Sequence, residues 1–240
     1  MKTTIFSIFA ALILVLGQAY AENSQSKIKN MKAKAELGDA VAQTNLAFAY
    51  FNGDGVFMNR SLAVKLFRKA AEQGDAQAQD MLGLCYLNGS GVGTDLHEGA
   101  KWFRKAAEQG YAPSQYSLGD CFMSGKGVHQ DMQEGVYWFR KAAEQGNASA
   151  QCALGLSYAL ATGVDKNMKE AAYWFRKAAI QGDASAQYCL GFSYIMGNGV
   201  DKDKEEAIKW YRKAAEQGHA AAEDALKGLI FADESSPKIP

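Results

Sequence analysis

Glycine recurs at a fixed interval through most of this 240-residue chain: Gly38, Gly74, Gly110, Gly146, Gly182 and Gly218 stand 36 residues apart without an insertion. Self-similarity at such a period is the signature of stacked supersecondary units that cannot bury their apolar faces alone. Five full units fit between these glycines, at 40–75, 76–111, 112–147, 148–183 and 184–219. The second reads AQAQDMLGLCYLNGSGVGTDLHEGAKWFRKAAEQGY. Every unit opens with Ala-x-x-Gln, carries Leu six residues in and a Gly-Val pair midway, and closes with Arg-Lys-Ala-Ala-x-Gln-Gly.

Each unit reads as helix, loop, helix. Leu82, Cys85 and Tyr86 fall at i, i+3 and i+4, one face of a first helix, and the small Ala76 and Gly83 permit close approach of a neighbour. A Gly-rich loop such as Asn88-Gly89-Ser90-Gly91 follows, where glycine takes positive φ at little cost. Asn59, Asp95, Asp131, Asn167 and Asp203 are suited to cap the second helix. Glu98, Glu134, Glu170 and Glu206 follow three positions after four of them, as in a capping box. Gln-Gly closes the helix, with glycine where a left-handed residue is wanted. The chain ends carry fractional units: an N-terminal capping half repeat over 22–39 and a capping helix over 220–231, in which Lys227 and Gly228 break the pattern. A polar, proline-containing tail over 232–240 is expected to be disordered. The expected fold is all-α, an α/α solenoid of five repeats plus half repeats at both ends, with about eleven helices in one continuous domain.

The first 21 residues read separately. Lys2 supplies a positive start, Ile5 to Leu16 an apolar stretch broken only by Ser7, and Ala19-Tyr20-Ala21 a small-x-small cleavage site, together a secretory signal peptide. The mature protein is then expected to be exported, periplasmic or secreted, and not inserted in a membrane. With 26 basic and 26 acidic residues, the chain lacks the basic excess that nucleic acid or an anionic membrane surface requires.

The motif A-x-x-x-L-G-x-x-Y, then G-x-G-V, then A-x-x-W-F-x-K-A-A-x-Q-G resembles the Sel1-like repeat, a relative of the tetratricopeptide repeat, over nearly the whole mature chain. Departures are few: Phe122 stands for Tyr, Ala161 for the first loop glycine, Gly99 and Gly135 for a helix Ala, and Leu66 for Trp. The resemblance implies a bacterial α/α superhelix used as an adaptor or scaffold surface.

Positions that vary from unit to unit are free to specify a partner. On the first helix these are the second, fifth and ninth residues: Val41, Thr44 and Phe48; Gln77, Asp80 and Leu84; Pro113, Tyr116 and Asp120; Ser149, Cys152 and Leu156; Ser185, Tyr188 and Phe192. Offsets of three and seven place each trio on one helical face. Aligned, they would make a stripe roughly 40 to 50 Å long lining a concave groove for an extended peptide or partner helix. Tyr116, Tyr188 and Phe192 would be its anchors, and Asp80 and Asp120 would select basic groups. Phe48, Leu84, Leu156 and Phe192 fit equally as ordinary core. Trp102, Trp138, Trp174 and Trp210 recur in phase and are expected between helices. The Arg-Lys pairs, such as Arg68-Lys69, are expected on a solvated face balanced by Glu72, Glu108, Glu144 and Glu216.

Cys85 and Cys121 occupy equivalent positions, on helices expected about 8–10 Å apart, too far for a bridge that needs Cα atoms within roughly 7 Å. Cys152 and Cys189 lie off that position and off each other's by one residue. The cysteine-rich secreted proteins that this chain resembles pair two cysteines inside each repeat, and no unit here contains two. Four buried or half-buried free thiols are therefore expected, with no metal spacing among them. Ser24-x-x-Lys27 and Ser235-x-x-Lys238 fit the Ser-x-x-Lys pattern of penicillin-interacting enzymes, but no Lys-Thr-Gly or Ser-Asp-Asn element completes it. His97, His129 and His219 have no recurring acidic or nucleophilic neighbour. No cofactor and no catalysis are expected. A β-lactam-binding or weak β-lactamase-like enzyme, which the resemblance admits, and a self-assembling structural envelope protein stand as alternatives to the adaptor.

Overall fold

The computed structural model describes residues 25–234; the signal-peptide reading over 1–21, Ser24, and the tail from 235 onward lie outside them. Twelve helices stand among the described residues, rather than about eleven, because each end contributes a whole helix beside the ten of the repeats. They are α1 (25–36), α2 (Ala40–Asn52), α3 (Arg60–Glu72), α4 (Ala76–Asn88), α5 (Leu96–Glu108), α6 (Ala112–Ser124), α7 (Met132–Glu144), α8 (Ala148–Leu160), α9 (Met168–Ile180), α10 (Ala184–Met196), α11 (Lys204–Glu216) and α12 (Ala220–Glu234). The last runs three residues past the expected stop at 231, since Ala232, Asp233 and Glu234 include no helix breaker before Pro237.

The chain forms two compact units, one ending at Gln109 and one beginning at Gly110. A solenoid repeat packs chiefly on its sequence neighbours, so a division falls naturally between repeats. In the first unit α2 pairs with α3, α3 with α4, and α4 with α5; in the second the same order runs from α6 to α12.

Packing repeats as strictly as the sequence. Leu82, Leu118, Leu154 and Leu190 are fully buried. Beside them Gly83, Gly119, Gly155 and Gly191 meet the rings of Phe103, Phe139, Phe175 and Tyr211, so closely that an added Cβ would lie 2.6–2.8 Å from a ring carbon. The first repeat has Ala47 at this position, against Phe67, both without solvent exposure. Trp102, Trp138 and Trp174 are buried, as expected, while Trp210 is half-buried.

Local signals set the helix ends. Asn59, Asp95, Asp131, Asn167 and Asp203 each accept a backbone N–H at the start of the second helix of their repeat. Gly74, Gly110, Gly146, Gly182 and Gly218, each the glycine of the Gln-Gly that closes that helix, take φ between 82° and 97°. The reciprocal half of the capping box is not made. The backbone N–H of Asp95, Asp131 and Asn167 donates instead to the carbonyl of Tyr86, Phe122 and Tyr158, nine residues back on the first helix. The glutamates turn elsewhere: Glu134 and Glu170 accept the indole N–H of Trp138 and Trp174 at 2.9 and 3.2 Å, and Glu98 and Glu206 pair with Lys101 and Lys209. A capped N–H that already has a carbonyl partner leaves the carboxylate free for a neighbouring side chain.

Candidate protein-binding face

The varying positions on the first helices do not share one environment. The second residues, Val41, Gln77, Pro113, Ser149 and Ser185, are exposed. The fifth residues turn inward. Thr44 and Asp80 are buried at 2% and 7% exposure, so neither presents its side chain to a partner and Asp80 does not stand open to select basic groups. Tyr116 is half-buried and stacks on Phe139 with ring centroids 5.7 Å apart. Tyr188 lies 5.6 Å from Tyr211 and 4.9 Å from His219. Both tyrosines are thus engaged within their own repeats, because the fifth residue points across toward the aromatic of the second helix.

The ninth residues turn outward along the chain. Phe48 packs edge-on against Phe67 at 5.1 Å, and Leu84 and Asp120 are half-buried, with Asp120 paired to Lys126 at 3.8 Å. Leu156 and Phe192 are exposed. One turn further on, Leu160 and Met196 are exposed too, at 71% and 50%. α8 and α10 therefore each present two large apolar side chains, four residues apart, on one face. Leu160 and Met196 were outside the positions singled out above. The signal was available, since this thirteenth residue is Asn52, Asn88 and Ser124 in the first three repeats and turns apolar only in the last two.

The second helices carry a different surface. The Arg-Lys pairs do not form a simple solvated face: Arg68, Arg140 and Arg176 reach the next repeat, and Lys105, Lys141, Lys177 and Lys213 lie over rings. Arg140 donates to the hydroxyl of Tyr158 at 2.8 Å, and Arg68 and Arg176 do the same to Tyr86 and Tyr194. Lys105, Lys177 and Lys213 lie 3.9, 5.1 and 4.5 Å from the ring centroids of Trp102, Trp174 and Trp210. A cation over an aromatic face is held by the ring quadrupole, so these groups are occupied within the fold.

The four cysteines are free thiols, Cys85, Cys121 and Cys152 buried and Cys189 half-buried. Burial pushes the Cys85 and Cys121 thiols up to about 11. Among the described residues no three His, Cys, Asp or Glu side chains converge to hold a metal ion.

Sel1 repeat matches cover 40–75, 76–111, 112–147, 148–183 and 184–219, the five 36-residue frames. The chain belongs to the Sel1 repeat family. Its fold is the all-α repeat solenoid of that family, and Sel1 repeats typically mediate protein–protein interaction. A Sel1 repeat protein from Oxalobacter formigenes is 31% identical, with a TM-score of 0.82 over 94% of this chain and 90% of that one. The protective antigen c5321 of uropathogenic Escherichia coli strains is 34% identical, with a TM-score of 0.72 over 89% of this chain. This Sel1 repeat chain spans about half of that antigen, 53%. The immunity protein Pa5087 of Pseudomonas aeruginosa, 24% identical over 76% of this chain and 67% of that one with a TM-score of 0.51, shares the fold. No curated protein matches the chain.

Proposed function

We propose that this Sel1 repeat protein is an exported adaptor that holds a protein or peptide partner against the first-helix face of its fourth and fifth repeats. The observation that carries the reading is the quartet Leu156, Leu160, Phe192 and Met196, exposed at 39%, 71%, 45% and 50% on α8 and α10. Large apolar side chains held on rigid helices lose little entropy when covered, and spacings of four residues suit a partner that docks a helix or extended segment across the repeats. Export rests on Lys2, the apolar stretch Ile5 to Leu16 and Ala19-Tyr20-Ala21. Among the described residues no helix is long and apolar enough to cross a membrane.

The test is a photoreactive phenylalanine analogue at Phe192 in native cells, with the same analogue at Lys101 on α5 as control. One protein captured from position 192 alone, and lost from a chain carrying Leu156→Ser and Leu160→Ser that keeps its helical dichroism, is the expected result. Equal capture at both positions, capture only of a second copy of this chain, or no capture would overturn the assignment.

A further inference from the structure

Each full repeat pairs a first helix with a second, and each terminal helix stands among the described residues with one half of that arrangement. α1 is a second-type helix without a first helix before it. It buries Ile28 and Ala35, and Met31 joins Ala42 and Leu46 of α2 in one apolar cluster. Its other face is open. In the full repeats that face meets the repeat's own first helix, as Gly99 and Phe103 meet Gly83. It carries Ala or Gly at two places, such as Ala63 and Ala70, with an aromatic such as Phe67 between them, all three without exposure. Thirty-six positions earlier stand Lys27, Lys34 and Met31, on one face of α1 by their offsets of four and seven. Lys27 and Lys34 are exposed. With Met31, Val41 and Asn45 they line a cavity of about 190 Å³ along α1 and α2. The carboxylate there, Asp39, is engaged in capping α2, where it accepts from the Ala42 N–H at 2.9 Å.

α12 is a first-type helix without a second helix after it. Lys227 takes the place at which Gly83, Gly119, Gly155 and Gly191 meet an aromatic ring, and Asp224 the place of Tyr188. Leu226 is half-buried where Leu190 is fully buried. Glu223, Asp224 and Lys227 are exposed. Asp224 and Lys227 pair at 3.6 Å within the helix, an exposed contact that contributes little and exchanges readily.

The charges of the two helices are opposite. α1 carries Lys27, Lys29, Lys32 and Lys34 against Glu36, all exposed. α12 carries Glu223, Asp224, Asp233 and Glu234 against Lys227. A solenoid end needs a polar outer face for solubility, but either sign meets that need. Here basic groups gather on the first helix and acidic groups on the last, in a chain whose total is balanced at 26 and 26.

We propose that the protein associates head to tail, α12 of one copy lying along the open face of α1 of a second copy, so that two half repeats make one repeat across the junction. The two helices of a repeat, joined by a short loop, run antiparallel. The start of α12 then faces the end of α1, with Glu223 and Asp224 against Lys32 and Lys34. The junction differs from an internal repeat, because Lys27, Lys34 and Lys227 stand where internal helices approach through Ala or Gly. The two helices sit farther apart and meet through charged side chains, so the contact is reversible and weakened by salt. Every open assembly keeps one free α1 and one free α12, so its mass rises with concentration. This inference does not rest on the adaptor reading.

The experiment is sedimentation of the purified protein over a range of concentrations, at ionic strengths of about 0.01 M and about 1 M. The weight-average mass should rise roughly twofold or more above one chain at low salt and return to one chain at high salt. A chain carrying Lys27→Glu and Lys34→Glu, and another carrying Glu223→Lys and Asp224→Lys, should each stay single. An equimolar mixture of the two should associate again, since each keeps the end that the other lacks. Carbodiimide, which joins an amine to a carboxylate, should link Lys32 or Lys34 to Glu223 or Asp224 between isotopically distinct copies of the parent chain. A mass fixed at one chain in low salt, association that persists in either variant alone, a mixture that stays single, or no such link between copies would each overturn the proposal. The crosslink on the parent chain decides it even if a variant loses its helical dichroism. Neither variant touches Leu156, Leu160, Phe192 or Met196, so this test and the capture at Phe192 fail independently.

Discussion

The side-chain amide of Gln73 donates to Oε1 of Gln43 at 2.8 Å, and Gln43 in turn donates to the carbonyl of Ala35 at 3.0 Å on the preceding helix. The first link recurs in every repeat, from Gln109 to Gln79, Gln145 to Gln115, Gln181 to Gln151 and Gln217 to Gln187, at 2.7 to 2.9 Å. Gln79, Gln151 and Gln187 likewise donate to the carbonyls of Ala71, Ala143 and Ala179, so in these four repeats the buried glutamine at the fourth position fastens the end of its own second helix to the end of the helix before.

The two ends of this link differ in cost. Gln151 is buried and Gln181 exposed. Gln151→Ala removes two hydrogen bonds, the one its amide donates to the Ala143 carbonyl at 3.0 Å and the one it accepts from Gln181, and should cost about 2 kcal/mol even though that carbonyl keeps its bond from the Gly146 N–H. Gln181→Ala removes only the second of these bonds and, Gln181 being exposed, opens its place to water, so it should cost well under half as much. Urea unfolding of the two variants side by side checks the ratio.

Ala161 ends α8 at φ 59°, the one residue other than glycine with positive φ among the described residues. Gly53, Gly89, Gly125 and Gly197 fill this place in the other repeats. A left-handed alanine carries a Cβ strain that glycine lacks, so Ala161→Gly should stabilise the protein by about 1 kcal/mol. A fall in the urea midpoint would contradict this.

The second loop glycine has a stronger requirement. A Cβ on Gly199 would lie 1.9 Å from the Met168 carbonyl oxygen, and on Gly163 2.1 Å from that of Met132. Each glycine closes the loop of one repeat onto the start of the second helix of the repeat before it. Gly199→Ala should therefore cost about 3 kcal/mol or more, combining backbone overlap with a φ of 75°. Gly146, with open space around its missing Cβ, is the comparison; there only the positive φ is strained, and alanine should cost about 1 kcal/mol.

Alkaline pH should weaken the fold through Cys85 and Cys121. Their folded values, about 11, lie above the ordinary 9.0. The stability contributed by the neutral buried thiols is full below pH 9 and is lost as pH rises through 11, because the unfolded chain sheds those protons first. A chain with Cys85→Ala and Cys121→Ala should lose less stability than the parent between pH 9 and pH 11 in denaturant titrations.

Sequence reading reached what local chemistry decides. Helix ends follow from Asp95 or Gly110 and a few neighbours, and the burial of Leu82 or Trp102 follows from helical periodicity. Contacts that join positions 18 or 30 residues apart were not legible, though their donors were in view: Ala-x-x-Gln and Arg-Lys recur without saying that Gln43 meets Gln73 or Arg140 meets Tyr158. The capping box failed for the same reason, since the Tyr86 carbonyl that displaces Glu98 is supplied by another helix. On the candidate face, a stripe drawn from offsets alone could not tell that Thr44 and Asp80 face inward while Leu156 and Phe192 face out. That difference depends on how far each helix is rotated against its pair.

The bond from Arg140 to Tyr158 runs in one direction: a repeat offers a guanidinium ahead and a phenol behind. Its two faces are unlike and complementary, as plug and socket are. A second copy of 148–183 spliced in after Ile180-Gln181-Gly182-Asp183 would receive Arg176 on its own tyrosine and extend its own arginine to Tyr194. The chain can thus be lengthened in steps of one repeat without leaving a donor or acceptor stranded at the seam, whereas a repeat inserted in reverse would meet its neighbours with like facing like.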